Sequence, residues 1–108
     1  MSELSQQSCS PVSKDSSPLN EQQINDYLQQ IAGWNQSGPQ HIQCTFTFKD
    51  YYQTIAFVNA VAWIVHQDDH HPDIQVSYNK CIVTFSTHSV NGLTVNDFIC
   101  AAKINQLL

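Results

Sequence analysis

The chain has 108 residues, 42% hydrophobic and 12% charged, so it fits one small folded domain and is not disordered as a whole. Its net charge of −5, with four Lys and Arg in total, provides no basic stripe for a phosphate backbone and argues against direct nucleic-acid binding. No apolar run approaches the roughly 20 residues that span a bilayer, and the first residues lack the basic and then apolar regions of a signal peptide, so a soluble, cytoplasmic protein is expected.

Residues 1–18 are rich in Ser and Gln and show no apolar periodicity, which predicts a flexible tail. Order is expected from Leu19. Asn20 can cap a helix, Gln23 can return the bond, and Leu19 can staple to Ile24. Ile24, Tyr27, Leu28 and Ile31 then draw one apolar stripe that Gly33 ends. A short strand over residues 34–36 precedes the turn cluster Ser37-Gly38-Pro39, and Ile42, Cys44, Phe46 and Phe48 alternate with polar residues as a half-buried strand.

Asp50 and Gln53 signal a second helix over residues 51–67, which carries apolar residues on more than one side. So small a domain has little else to cover such a helix, and a subunit interface is expected there. After Pro72, Ile74, Val76 and Tyr78 alternate with polar residues before Asn79-Lys80 and the β-rich run 81–87, a two-residue hairpin. Thr94 caps a third helix, with Leu93 stapling to Phe98 and the helix continuing to the end of the chain. The fold expected is α+β, in the order α-β-β-α-β-β-α: a four-stranded antiparallel sheet with three helices on one face.

Four cysteines, Cys9, Cys44, Cys81 and Cys100, are widely spaced with no C-x-x-C pair. That pattern fits neither a zinc ribbon nor a secreted disulfide framework, so reduced thiols are expected.

Chemistry concentrates in Asp68-Asp69-His70-His71-Pro72, where two imidazoles and two carboxylates share a helix-to-strand loop. A turn at Asn79-Lys80 pairs Tyr78 with Cys81, Val76 with Val83 and Ile74 with Phe85; continued outward, it sets Pro72 opposite Thr87 and His71 opposite His88. Three histidines from two stretches of chain are thereby expected around one site. His41 carries no functional weight, and Asp97 is explained as the residue that bonds back to the Thr94 cap. His66 and His70 have helical i, i+4 spacing suited to zinc, but the glutamate of an H-E-x-x-H site is missing, so no metal is assigned.

The run His66, His70-His71-Pro72, Tyr78, His88 and Asp97 resembles the signature of the pterin-4a-carbinolamine dehydratases. Its surroundings look like theirs too: Gly33-Trp34, Phe48-Lys49-Asp50, Val76-Ser77-Tyr78-Asn79-Lys80, Ser86-Thr87-His88 and Gly92-Leu93-Thr94. The likeness covers residues 19–108, which would form the pterin carbinolamine dehydratase domain. It implies dehydration of 4a-hydroxytetrahydrobiopterin to quinonoid dihydropterin, without a cofactor, in a homodimer or homotetramer functionally linked to a pterin-dependent aromatic amino acid hydroxylase.

Carried over residue by residue, the resemblance assigns acid and base work to His70 and His88. It assigns pterin holding to His71, with Trp34 as a candidate pocket wall and Asp69 as a binding residue. His66 stands where many relatives have an acid, whose orienting role would pass to Asp69 or Asp68, and Asp73-Ile74 replaces the acidic-aromatic pair often found after the proline. Two other readings stand beside the enzyme: a non-enzymatic dimerising partner of a transcription regulator, and a zinc-binding domain.

Overall fold

The computed structural model describes residues 3–108. After a 3-10 turn at Leu4–Gln6, the elements are α1 (Glu21–Leu28), β1 (Asn35–Gln36), β2 (Ile42–Thr47), α2 (Tyr51–Asp68), β3 (Asp73–Val76), β4 (Lys80–Phe85) and α3 (Val95–Asn105). A second 3-10 turn, His88–Val90, lies between β4 and α3. The strands form one antiparallel sheet in the order β1-β2-β4-β3.

Alternation decides which face of the sheet is covered. Ile42, Cys44 and Phe46 of β2 stand opposite Phe85, Val83 and Cys81 of β4, and all six are buried. The intervening Thr45, Thr47 and Lys80 face solvent. The helices pack on the apolar side. In α2 the buried residues are Thr54, Phe57, Val61 and Val65, a single stripe at helical spacing. The outer side of α2 leaves Tyr52 82% and Trp63 66% exposed, which is the apolar excess that the sequence assigns to a subunit contact. α3 is enclosed along most of its length, from Asn96 to Ala101 and again at Ile104.

The caps form largely as expected. Asn20 and Gln23 make a reciprocal capping box, and the Asp50 carboxylate accepts from the Gln23-equivalent position of its own helix, the backbone N–H of Gln53. Two ends come early. α1 stops at Leu28, and α3 stops three residues short of Leu108. Past Leu28 the chain turns through Gln30 N–H to Tyr27 O and Ile31 N–H to Leu28 O, which still buries Ile31. Gly33 then takes φ +88°, a conformation that strains any residue with a Cβ.

The β3–β4 hairpin differs from the expected register by two residues. Ile74 pairs with Val83 and Val76 with Cys81, and Ser77 N–H donates to Lys80 O at 2.9 Å, so Tyr78-Asn79 forms the turn. Two tertiary bonds select it. Thr54 Oγ1 donates to Tyr78 O at 3.1 Å, and Phe48 N–H donates to Asn79 O at 2.8 Å. A shift of two keeps every side chain on its face, but it moves the outward partners. Continued past β3, the observed register sets His70, rather than Pro72, level with Thr87.

The stretch expected as a flexible tail lies against the domain in its described part. Leu4 joins the core, and the backbone of Ser10 is clasped from both sides by Asn96: Ser10 N–H donates to Asn96 Oδ1 at 3.1 Å and Asn96 Nδ2 donates to Ser10 O at 2.7 Å. Leu4 and a few isolated polar contacts, those of Ser10 with Asn96 and of Cys9 N–H with Asp68 among them, supply this hold, and none of them forms a pattern that a periodicity argument registers.

Candidate active site

α2 ends where Asp69 adopts a left-handed conformation, φ 51° and ψ 45°, and donates its N–H to the carbonyls of His66 and Val65. Asp tolerates this geometry better than most residues, and the bend turns the following histidines away from the helix axis. His70 N–H still bonds Val65 O at 3.3 Å, so the start of the loop remains anchored to the helix. At the other end of the cleft, Thr87 pairs with Gly92 around the 3-10 turn that begins at His88.

A cleft of about 490 Å³ lies between these two loops. His70, His71, His88 and Asp69 line it, and the segment Ser8 to Val12 forms one wall. The volume is in the range of small-molecule sites. His71 and His88 are exposed, whereas the His70 side chain is 13% exposed and the residue is held at three points, two on the ring and one on the backbone. Its ring stacks on Phe85 with centroids 5.8 Å apart and planes within 5°. Its backbone carbonyl accepts from Cys100 Sγ at 3.8 Å. Its Nε2 lies 2.6 Å from Asp97 Oδ1.

Asp97 is fully buried and every contact of its carboxylate is accounted for. Oδ2 accepts from Thr87 Oγ1 at 2.8 Å and from Thr94 N–H at 2.9 Å, leaving Oδ1 for His70. The bond to Thr94 is the expected helix cap. The bond to His70 is additional, and the sequence reading missed it because it assigned Asp97 to the cap alone. Burial works against a charge on His70, but the hydrogen bond and charge of Asp97 outweigh it and raise the imidazole above its usual range, with smaller help from Cys9 and Asp68. His70 is therefore suited to holding a proton near neutral pH.

Trp34 is not in the cleft. It is 4% exposed, its Nε1 donates to Asn105 Oδ1 at 2.9 Å, and its ring lies 5.8 Å from that of Phe85. The turn at Gly33 directs the indole into the core, where it backs the phenyl ring on which His70 rests. His66 is exposed at the end of α2 and does not line the cleft. Among the described residues, the cluster of ligand-type atoms within 4.8 Å of one another contains neither His66 nor His70.

Other groups meet nearby that the sequence did not bring together. Asp68 Oδ1 accepts from Cys9 N–H, and Asp68 Oδ2 accepts from Lys103 Nζ at 2.5 Å, which ties α2 to α3. Burial alone would push the Asp68 carboxyl up, but the bonds from Lys103 and Cys9 hold it below the usual range. Among the described residues, Cys9, Asp68 and Cys100 form the cluster whose ligand-type atoms all lie within 4.8 Å of one another.

The family model described as pterin 4 alpha carbinolamine dehydratase matches residues 17–107. A Nitrosospira multiformis protein, provisionally named a pterin-4-alpha-carbinolamine dehydratase, is 52% identical over 97% of this chain and 92% of its own. A similarly named Nitrosomonas eutropha protein is 50% identical over 98% of this chain and 94% of its own. The crystal structure of a Brucella melitensis transcriptional coactivator/pterin dehydratase superposes with a TM-score of 0.80 at 35% identity, covering 84% of this chain and 98% of that one. A pterin dehydratase-like protein identified as a RuBisCO assembly factor in the alpha-carboxysome gives 0.59 at 25% identity, over 69% of this chain and 88% of its own. On the match across residues 17–107 and half-identity along nearly the full length, this chain belongs to the pterin 4 alpha carbinolamine dehydratase family.

Proposed function

We propose that the chain dehydrates 4a-hydroxytetrahydrobiopterin to quinonoid dihydropterin, with His70, His71 and His88 as the groups that move protons or hold the ring. In this reaction the C4a–O bond breaks, the hydroxyl takes a proton and leaves as water, N5 gives up its proton, and a C4a–N5 double bond forms. His70, kept protonated by Asp97, is the donor to the departing hydroxyl. His88, across the cleft, takes the N5 proton. His71 and Asp69 hold the pterin, and Trp34 contributes through Phe85 rather than by touching substrate.

The observation that carries this reading is the 2.6 Å bond between His70 and a fully buried Asp97 at the edge of a cleft with two further imidazoles. Each positioned acid or base contributes on the order of 10²–10⁴-fold, enough for a water loss that also proceeds unaided. The test follows the absorbance of enzymatically generated 4a-hydroxypterin, at a pH high enough to slow the spontaneous reaction. Decay that is no faster with the protein than without it overturns the proposal.

The outer side of α2 favours a second role beside the first. Exposed Trp63 and Tyr52 offer an apolar contact for another copy of the chain, giving a homodimer or homotetramer, or for a partner protein. A cytoplasmic place beside a pterin-dependent aromatic amino acid hydroxylase would supply the carbinolamine. A His70→Ala, His88→Ala double variant separates the roles, because catalysis collapses while assembly through α2 persists.

A further inference from the structure

Four thiols are present, and the structure treats them unequally. Cys44 and Cys81 lie buried within the sheet, where burial pushes both thiols up and away from the reactive thiolate form. Cys9 and Cys100, 91 positions apart, face each other with sulfurs 3.5 Å apart. Cys100 is fully buried on α3, while Cys9 is half-buried on the irregular N-terminal segment.

We propose that Cys9 and Cys100 are an oxidisable pair that closes into an intrachain disulfide and locks the N-terminal segment along the wall of the histidine cleft. Bonded sulfurs stand about 2.05 Å apart, so closure requires an approach of about 1.5 Å. The segment that must move is in neither a helix nor a strand. It is held in register on both sides of the thiol, by Cys9 N–H on Asp68 and by Ser10 on Asn96. Cys9 Sγ already lies 3.6 Å from Asn96 O, one helical turn before Cys100.

The two thiols divide the chemistry. The bond from Cys100 lowers the Cys9 thiol below its ordinary value, against the opposing effect of burial, whereas Cys100 is pushed far up. The half-exposed Cys9 thiolate attacks a low-molecular-weight disulfide such as glutathione disulfide, forming a mixed disulfide and expelling one glutathione thiolate. Cys100, its proton passing to a departing glutathione thiolate, then attacks the Cys9 sulfur and expels the second glutathione. Two protein thiols are oxidised, and one glutathione disulfide is reduced to two glutathiones.

A metal held by the same cluster is the competing use. It would need Asp68 as third ligand, yet one oxygen of that carboxylate already accepts from Lys103 and the other from Cys9 N–H. The arrangement suits a redox pair better.

The full chain is incubated with glutathione disulfide, alkylated and digested with trypsin without reduction. Cleavage after Lys14, Lys80 and Lys103 places Cys9 in peptide 1–14 and Cys100, with Cys81, in peptide 81–103. The expected product is these two peptides joined within one chain, two hydrogens lighter than their sum. Fragment ions assign the bond to Cys100, and dithiothreitol separates the peptides. The amides of Ser8, Cys9, Ser10 and Val12 then exchange about tenfold slower than in the reduced protein. Cys9→Ser, a change at a half-exposed position that leaves the core intact, abolishes the joined peptide. A stable glutathione adduct on Cys9 without closure, a bond to Cys81, a bond between two chains, unchanged exchange at residues 8–12, or stoichiometric zinc that shields both thiols would each overturn the proposal.

Discussion

His70 and Asp97, 27 positions apart, meet at 2.6 Å where the end of α2 faces the start of α3. Asp97 thereby joins two tasks, closing the N-terminus of α3 through Thr94 and holding the imidazole at the cleft. Asp97→Asn keeps the size and removes the charge. His70 then retains burial without its counterion, so its pKa should fall in an NMR titration of the ring. Losing a hydrogen bond between charged partners costs about 1.5–3 kcal/mol, and denaturant midpoints should drop accordingly.

The same pair sets a pH dependence of stability. The folded pKa of His70 is raised above its ordinary 6.5, so its stabilising contribution is fully present below the unfolded value and is lost as pH rises through the folded one. Urea midpoints measured from slightly acidic to mildly alkaline pH should therefore decline in the wild type. The decline should flatten in Asp97→Asn. If His70 is the proton donor, kcat falls over the same alkaline interval.

Much of this site could be read from the chain, and the limits have definite causes. Apolar alternation in β2 and β4 and the capping pairs Asn20/Gln23 and Asp50/Gln53 are local signals, and they predict the elements and the covered face. The turn position is not local. Thr54 and Phe48 choose Tyr78-Asn79 by bonding its carbonyls, and that two-residue shift replaces an opposed His71 and His88 with His70 level with Thr87. Trp34 is a candidate pocket wall through its resemblance to the family's Gly-Trp tryptophan, yet the left-handed Gly33 and the acceptor on Asn105 send it inward. Cys9 could not be placed because a Ser-rich segment docks through isolated contacts, such as Leu4 in the core, Ser10 on Asn96 and Cys9 N–H on Asp68, rather than through a pattern.

The two exposed imidazoles allow activity to be separated from folding. His88→Ala and His71→Ala remove side chains at exposed positions, so stability should remain within about 0.5 kcal/mol of wild type. His88→Ala should lower kcat by about 10²–10³-fold with little change in KM, the signature of lost proton transfer. His71→Ala should act mainly on KM. Equal, small effects of both changes on dehydration would count against the assigned division of roles.

Assembly through α2 makes a separate claim. Trp63 is 66% exposed on the face opposite the buried Phe57, Val61 and Val65 stripe, so Trp63→Glu places a charge in solvent in the isolated chain and in an apolar contact in an oligomer. Sedimentation should show a lower mass for the variant than for the wild type, with helical content preserved by circular dichroism. A wild-type chain that sediments as a monomer at micromolar concentration would remove the interface from consideration.

Gly92 tests how the edge of the cleft is built. A Cβ there would lie 2.6 Å from Cβ of Pro18, closer than carbon atoms approach without displacement. Proline cannot swing aside as a flexible side chain would, and the adjacent backbone is tied by Leu19 N–H to Leu93 O at 2.8 Å. Gly92→Ala must therefore move either the strand-like link at Leu19 or the loop from Thr87 to Gly92. Overpacking of this kind costs about 1–3 kcal/mol, seen as a lowered thermal midpoint. Because the loop also carries His88, kcat should fall together with stability, whereas a purely local loosening at Pro18 would leave kcat unchanged.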